Sequence, residues 1–317
     1  MKSNIIYDLP NEVYHRGEGY RDYLSSSQLK AYAKSPKFAK FMLDNPQEET
    51  DAMRFGSLFH DLMASCAEHN KSFVEALKGW SKNLAFFTPP LNPKGKPFGS
   101  TSNAYKEAYD GFMQANEGKT IISEADYELV TSMVLSLLNN CGATSEQVKK
   151  LLNWGKPEVS IFYETEDGIK LKIRPDLLTK SKIIDWKTTN LDDLTEESIN
   201  RTILNYGYHI STAMYQYVAK QVLGKWLDFY LVLVQKQAPY DCVMVNMANY
   251  GYRYLPDVDM VIPGPGALEF KQLLDLHIKC KKTNEYPGAE TFIPGDKYRI
   301  MEIEPPRYYT NKFIEEY

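Results

Sequence analysis

A chain of 317 residues can build one large domain or two small ones with ample core. Its composition, 43% hydrophobic and 25% charged with 23 Tyr, is that of a soluble globular protein, with no internal repeat and no low-complexity segment. A net charge of −4 excludes a molecule that is basic all over, yet leaves room for a local basic lining that meets nucleic acid.

No apolar run approaches the roughly 20 residues of a membrane span. The start, Met1 to Asp8, lacks the apolar core of a signal peptide, so a cytoplasmic protein with no membrane partner is expected. Cys66, Cys141, Cys242 and Cys280 stand far apart without a Cys-x-x-Cys pair. That argues against a zinc or iron–sulfur site and predicts reduced thiols.

In chain order, Leu24-Ser25-Ser26-Ser27 followed by Leu29, Tyr32, Ala33, Phe38, Phe41 and Met42 predicts two short helices broken at Pro36. Met53 to Met63 starts an amphipathic helix whose small Gly56 and Ser57 are expected to allow close approach. Trp80 to Thr101 holds a Pro/Gly-rich excursion; its prolines oppose regular structure, and Phe86, Phe87 and Phe98 are too apolar for a solvated loop. Packing on a neighbouring subunit or lining a DNA entrance is the expectation for it. Residues 103–115 and 123–140 read as helices, the second capped by Ser123 with Asp126 at the capping-box spacing.

From Glu158 the pattern becomes that of strands. Val159–Tyr163, Ile169–Leu178 and Lys182–Lys187 predict three consecutive antiparallel strands, with a turn at Asp167-Gly168. A helix over 206–223, strands at Leu227–Val234 and Cys242–Met247, and a helix near Leu268–Lys282 follow. One domain over 1–317 is expected: 1–150 mostly helical with a Pro-rich arm at 81–101, 151–250 the sheet core, 251–317 a C-terminal helix and tail.

The chemistry concentrates in Arg174 to Thr189. If Lys180-Ser181 is the hairpin tip, Asp176 falls opposite Asp185, where Cβ atoms sit roughly 4.5–5.5 Å apart. Like charges so placed repel unless a cation lies between them. Side chains alternate faces along a strand, so Lys187 points the same way as Asp185. Two carboxylates and an ammonium on one spot suit metal-assisted phosphodiester hydrolysis: carboxylates hold a hard divalent cation, and lysine orients the nucleophile or neutralises developing charge. Lys149, Lys150, Lys156, Lys170, Lys172, Arg174, Lys180, Lys182 and Lys187 form the candidate basic lining for DNA.

Pro175-Asp176, eight intervening residues and Asp185-Trp186-Lys187 resemble the PD-(D/E)XK nuclease signature. Together with Gly56-Ser57-Leu58-Phe59-His60, Glu158, Thr188-Thr189 and Tyr208 to Tyr215, in that order, the chain resembles the RecE-like (exonuclease VIII) branch of that superfamily. The resemblance implies an α/β (α+β) core of order α-β-β-β-α-β with a central mixed sheet and helical N-terminal additions. It implies His60, Asp176 and Asp185 as metal ligands, the carbonyl of Trp186 as a further ligand and Lys187 as the catalytic lysine. Glu158 is either an acid that supports the ligands or holds a second metal, or a surface charge at a strand start. Mg²⁺ is the implied cofactor, with Mn²⁺ able to substitute because imidazole suits it better.

Tyr208, Ser211 and Tyr215 are the implied DNA-binding residues of the following helix. Ser211 departs from the family, which places a glutamine there. Gln216 lies elsewhere on the helix and is not an obvious substitute. The implied function is a metal-dependent exonuclease that degrades one strand of linear duplex DNA for recombination. Its implied partners are double-stranded DNA ends, a single-strand annealing protein and further copies of itself in a ring. An endonuclease or nickase of the same fold, or a catalytically silent DNA-binding module, are the alternatives.

Overall fold

The structure, a computed structural model, describes residues 3–45, 50–69, 72–288 and 304–306. Two compact units arise: Met1–Ser26 with Gln47–Gln272, and Ser27–Pro46 with Leu273–Tyr317. In chain order, β1 (Ser3–Ile6) and α1 (Asn11–Arg16) lead to α2 (Ser26–Lys30), a 3₁₀ turn at Ala31–Ala33 and α3 (Pro36–Asp44). The break expected at Pro36 is present: Ser35 caps α3 by accepting from the Phe38 N–H, with the proline in the first turn. Within the second unit the Tyr32 hydroxyl bonds His277 Nδ1 at 2.9 Å.

In the first unit, α4 (Asp51–His69), α5 (Phe73–Ser81), β2 (Leu84–Phe86), α6 (Asn103–Ala115), β3 (Thr120–Ile122), α7 (Glu124–Asn139) and α8 (Gly142–Trp154) precede the sheets. Ser123 caps α7, accepting from the Asp126 N–H and donating to its carboxylate at 2.8 Å. Two expectations for this half are corrected. A Cβ on Gly56 would meet open space, so no neighbour approaches through it. The Pro-rich excursion contains a strand, because β2 pairs in parallel with β3 ahead of the prolines. Phe87 then packs on Tyr105, Tyr109 and Phe112 of α6, with centroids 5.1–5.4 Å apart, so its apolar character is used inside the chain. The helices α5 and α8 are additions the sequence reading lacked.

The strands are β4 (Lys156–Pro157), β5 (Ser160–Glu164), β6 (Lys170–Ile173), β7 (Leu177–Leu178) and β8 (Lys182–Thr189). Two helices follow, α9 (Glu196–Asn205) and α10 (Tyr208–Leu223). After them come β9 (Asp228–Gln235), β10 (Cys242–Asn246), the hairpin β11 (Tyr252–Leu255) and β12 (Met260–Pro263), and α11 (Pro265–Thr283). The central sheet is mixed, in the order β10-β9-β8-β7-β4, with β8 and β9 parallel across the α9–α10 connection. This is the α/β architecture expected for a PD-(D/E)XK core. β1, β5 and β6 make a separate antiparallel sheet.

The single strand predicted from Ile169 to Leu178 is therefore two strands in two sheets. Pro175 has no N–H for a ladder, and the pairing ends on either side of it. The chain crosses between the same two sheets once more, between β4 and β5. There Glu158 adopts φ 51°, a left-handed value that is strained for a residue with a side chain. The two crossings lie side by side, tied by the Glu158 N–H donating to the Asp176 carbonyl at 3.2 Å.

Helices α4, α7 and α8 pack against the central sheet. Phe59, Leu62, Met133, Val134 and Leu137 meet Leu177, Ile184, Trp186, Val232 and Val234 in one buried cluster. Cys141 and Cys242 are joined as a disulfide with Cα atoms 6.0 Å apart, which corrects the expectation of four reduced thiols. Their 101-residue separation hid the pairing, since sequence spacing says nothing about two residues brought together by α8 and β10.

Candidate active site

The site grows from three local facts. First, the hairpin register is the one the sequence implied: Leu177 pairs with Ile184 and Leu178 with Ile183, and the Thr179 N–H donates to the Lys182 carbonyl across the turn. One step further along, Asp176 comes level with Asp185. Second, β8 alternates, so Ile184 and Trp186 enter the core while Asp185 and Lys187 face the other way. Third, the paired crossings bring Glu158 to the same place, and α4 delivers His60.

Distances then define two linked groups. His60 Nδ1 lies 3.1 Å from Asp176 Oδ1, and the Trp186 N–H donates to Asp176 Oδ2 at 2.6 Å. His60, Glu158 and Asp176 offer ligand atoms all within 4.8 Å of one another. Beside them, Lys187 Nζ contacts Asp185 Oδ2 at 2.6 Å and donates to the Trp186 carbonyl at 3.1 Å. That carbonyl, expected as a metal ligand, is turned to the ammonium here.

Burial makes these charges interact strongly. Desolvation and the charge of Asp176 push the Glu158 carboxyl up to about 7, against the pull of His60 and Arg174. Burial raises Asp176 too, but His60, Lys187 and the Trp186 N–H outweigh it and hold the carboxyl below its usual range. Asp185 stays above its usual value, because burial and Asp176 prevail over Lys187. Burial disfavours the His60 imidazolium, yet the Asp176 charge and hydrogen bond raise its pKa overall. Burial likewise opposes the Lys187 charge, but Asp185 and Asp176 carry its pKa upward, so it is a fixed cation.

Three carboxylates in so small a volume, one of them held up to about 7, is a surplus of acid that a divalent cation relieves. The donor set of imidazole and carboxylate oxygens fits Mg²⁺ or Mn²⁺. His60, Glu158 and Asp176 would hold the ion, which when bound supplies an activated water and offsets charge on a phosphate. Lys187 presents a preorganised cation at the same spot, and Asp185 fixes where that cation sits.

The family described as a PDDEXK-like domain of unknown function (DUF3799) matches residues 25–290. The chain belongs to that family. Among solved structures it is similar to the crystal structure of a "Putative exonuclease" from Eubacterium rectale. The two are 16% identical over 96% of this chain and 98% of that one, with a TM-score of 0.49. No curated protein matches the sequence.

The remaining residues expected in this PDDEXK-like site divide between it and the scaffold. Tyr208, at the start of α10, has its ring 5.8 Å from Lys187 Nζ, and burial pushes its phenol up to about 12. Ser211 stands half-buried one turn later. Tyr215 is turned inward: its hydroxyl donates to the Arg174 carbonyl at 3.3 Å, which supports the chain just ahead of Asp176.

Two cations of the expected DNA lining are also internal. Lys172 is 3% exposed and donates to the carbonyls of Tyr14 and Tyr20. Arg174 donates to the Leu9 carbonyl, to Asn11 Oδ1 at 3.2 Å and to the Glu158 carboxylate at 3.0 Å. They point inward because β6 is flanked by β5 and the N-terminal segment, whose backbone carbonyls need donors there. The Arg174–Glu158 pair was missed in the sequence. Its signal is the strand-start acid matched to the basic residue ahead of Pro175, but 16 positions separate them.

Among the described residues no helix is long and apolar enough to cross a membrane.

Proposed function

We propose that this PDDEXK-like chain is a divalent-metal-dependent deoxyribonuclease. It degrades one strand of linear duplex DNA from an end, as a RecE-like recombination exonuclease would. The observation that carries the reading is the meeting of His60, Glu158 and Asp176 beside the Asp185–Lys187 pair on β8, the middle strand of the mixed sheet, in a chain of this family. Acids that share one small volume and a fixed ammonium are the set that phosphodiester hydrolysis uses. The exonucleolytic part rests on the order of motifs from His60 to Tyr215, as does the product, a single strand for an annealing protein. A ring of several copies around the duplex would give processivity.

Incubation with Mg²⁺ and matched linear and closed-circular duplexes tests this. Loss of the linear form alone supports the exonuclease. Cutting of both forms replaces it with an endonuclease or nickase of the same chemistry, and cutting of neither, with Mg²⁺ or Mn²⁺, leaves a DNA-binding module.

A further inference from the structure

Between α9 and α10 the chain turns at Gly207, with φ 63°, a left-handed value glycine adopts without strain. The turn sets Tyr206 and Tyr208 ring on ring, with centroids 5.6 Å apart and planes 18° from parallel. Tyr208 is the residue whose ring lies 5.8 Å from the Lys187 ammonium. Tyr206 is 64% exposed, and Leu204, two residues back, is 54% exposed. This large aromatic ring, open to water, is stacked on a ring that lies against the Lys187 ammonium.

We propose that Tyr206 and Tyr208 form a stacking platform for a nucleobase at an unpaired DNA strand end, beside the phosphate held at Lys187. This rests on the nuclease reading above and deepens it by naming what the site grips besides phosphate. Every base has a π-face, so an aromatic platform holds a strand without reading its sequence, as an end-degrading enzyme requires. The rings carry no charge for a phosphate, and Lys187 already supplies one. Leu204 and Tyr206 alone are too small an apolar surface for a stable protein partner, which needs on the order of 1,000 Å².

The test uses the full chain in chelator, so that DNA stays intact, and a duplex with a short single-stranded end carrying 2-aminopurine at its terminus. The wild type should quench the fluorophore on binding. Tyr206→Ala should lose the quenching and bind the end about tenfold more weakly, the scale of one lost base–aromatic stack. Tyr206→Phe and Tyr206→Trp should retain both, because the ring and not the hydroxyl does the work. An abasic terminus should bind wild type and Tyr206→Ala alike.

Equal quenching and affinity in wild type and Tyr206→Ala overturns the platform, and so does a tenfold deficit that persists on the abasic end. A deficit in Tyr206→Phe as large as in Tyr206→Ala overturns it as well, since it assigns the effect to the hydroxyl. Degradation of linear duplex in Mg²⁺ is measured alongside. If it proceeds equally in wild type and Tyr206→Ala with no quenching in either, the platform alone falls. If the wild type neither binds nor degrades DNA, both readings fall.

Discussion

Two polar clusters, one buried and one half-buried, sit on the same scaffold of α10 and the central sheet, and they are built on opposite plans. Gln216, 1% exposed, donates from Nε2 to the carbonyls of Leu227 and Tyr252, both at 2.9 Å, and accepts from the Tyr252 N–H at 2.7 Å. Both amide protons and the carbonyl oxygen are engaged and the group is neutral, and it ties α10 to the approach of β9 and to β11. A Cβ on Gly251 would meet Gln216 Oε1 at 2.1 Å, so the lock closes only against a glycine. The acid cluster at Asp176 is instead overcharged, with Glu158 and Asp185 both raised above their usual values. A closed neutral cluster holds a fold, whereas one with excess charge and spare lone pairs is arranged to receive a ligand.

The largest expected effect breaks the charged cluster at its centre. Asp176→Ala removes the carboxylate shared by His60 and the Trp186 N–H, and Asp185→Ala removes the partner of Lys187. Either should abolish cleavage, and Asp176→Ala, which removes a ligand of the group, should also weaken Mn²⁺ binding in calorimetry, while metal-free DNA binding survives. Near-normal turnover in either variant would sink the assignment of the site.

Lys187→Ala should cost activity on the order of 10²-fold or more, the scale of one preorganised electrostatic donor, and spare metal affinity. Calorimetry is again decisive. Lost metal binding would make Lys187 a structural partner of Asp185 and move it to the same side of the comparison as Gln216.

The sequence made the charged cluster more legible than the neutral one. Hairpin arithmetic across Thr179–Lys182 puts Asp176 level with Asp185, and strand alternation puts Lys187 beside Asp185, because both follow from local periodicity. Glu158 and Gln216 depend on contacts across distant segments, so their roles were open in the sequence or absent from it. Residues 206–223 were legible as a helix, yet α9 just before it was not. Lys172 and Arg174 were misread as lining because charge on a strand says nothing of which backbone carbonyls lie over it.

Gln216→Leu tests the neutral cluster. It strands the carbonyls of Leu227 and Tyr252 and the Tyr252 N–H in a buried place. A loss of about 2–3 kcal/mol in urea unfolding is expected, with hydrolysis per folded molecule unchanged at low temperature. Lost activity at unchanged stability would mean that Gln216 serves the site after all.

The smallest effect concerns Glu158, which joins the acid cluster through a strained turn. Its carboxyl titrates at about 7 in the folded chain, so between the ordinary carboxylate range and that value the native state binds more protons than the unfolded one. The sign follows: its ionisation costs stability as pH rises through the window, and below the window the cost vanishes. Asp185 acts in the same sense, and so does His60, whose raised pKa gives stability that fades as pH rises. His277, held down at about 4 by burial, acts in the opposite sense, so the overall melting curve mixes the two. Comparing wild type with Glu158→Gln in chelator isolates the one group. The variant should melt a few degrees higher than wild type at pH 8 and nearly level with it at pH 5. An equal difference at both pH values would show that Glu158 ionises as an ordinary surface acid, and would remove it from the group that receives the metal.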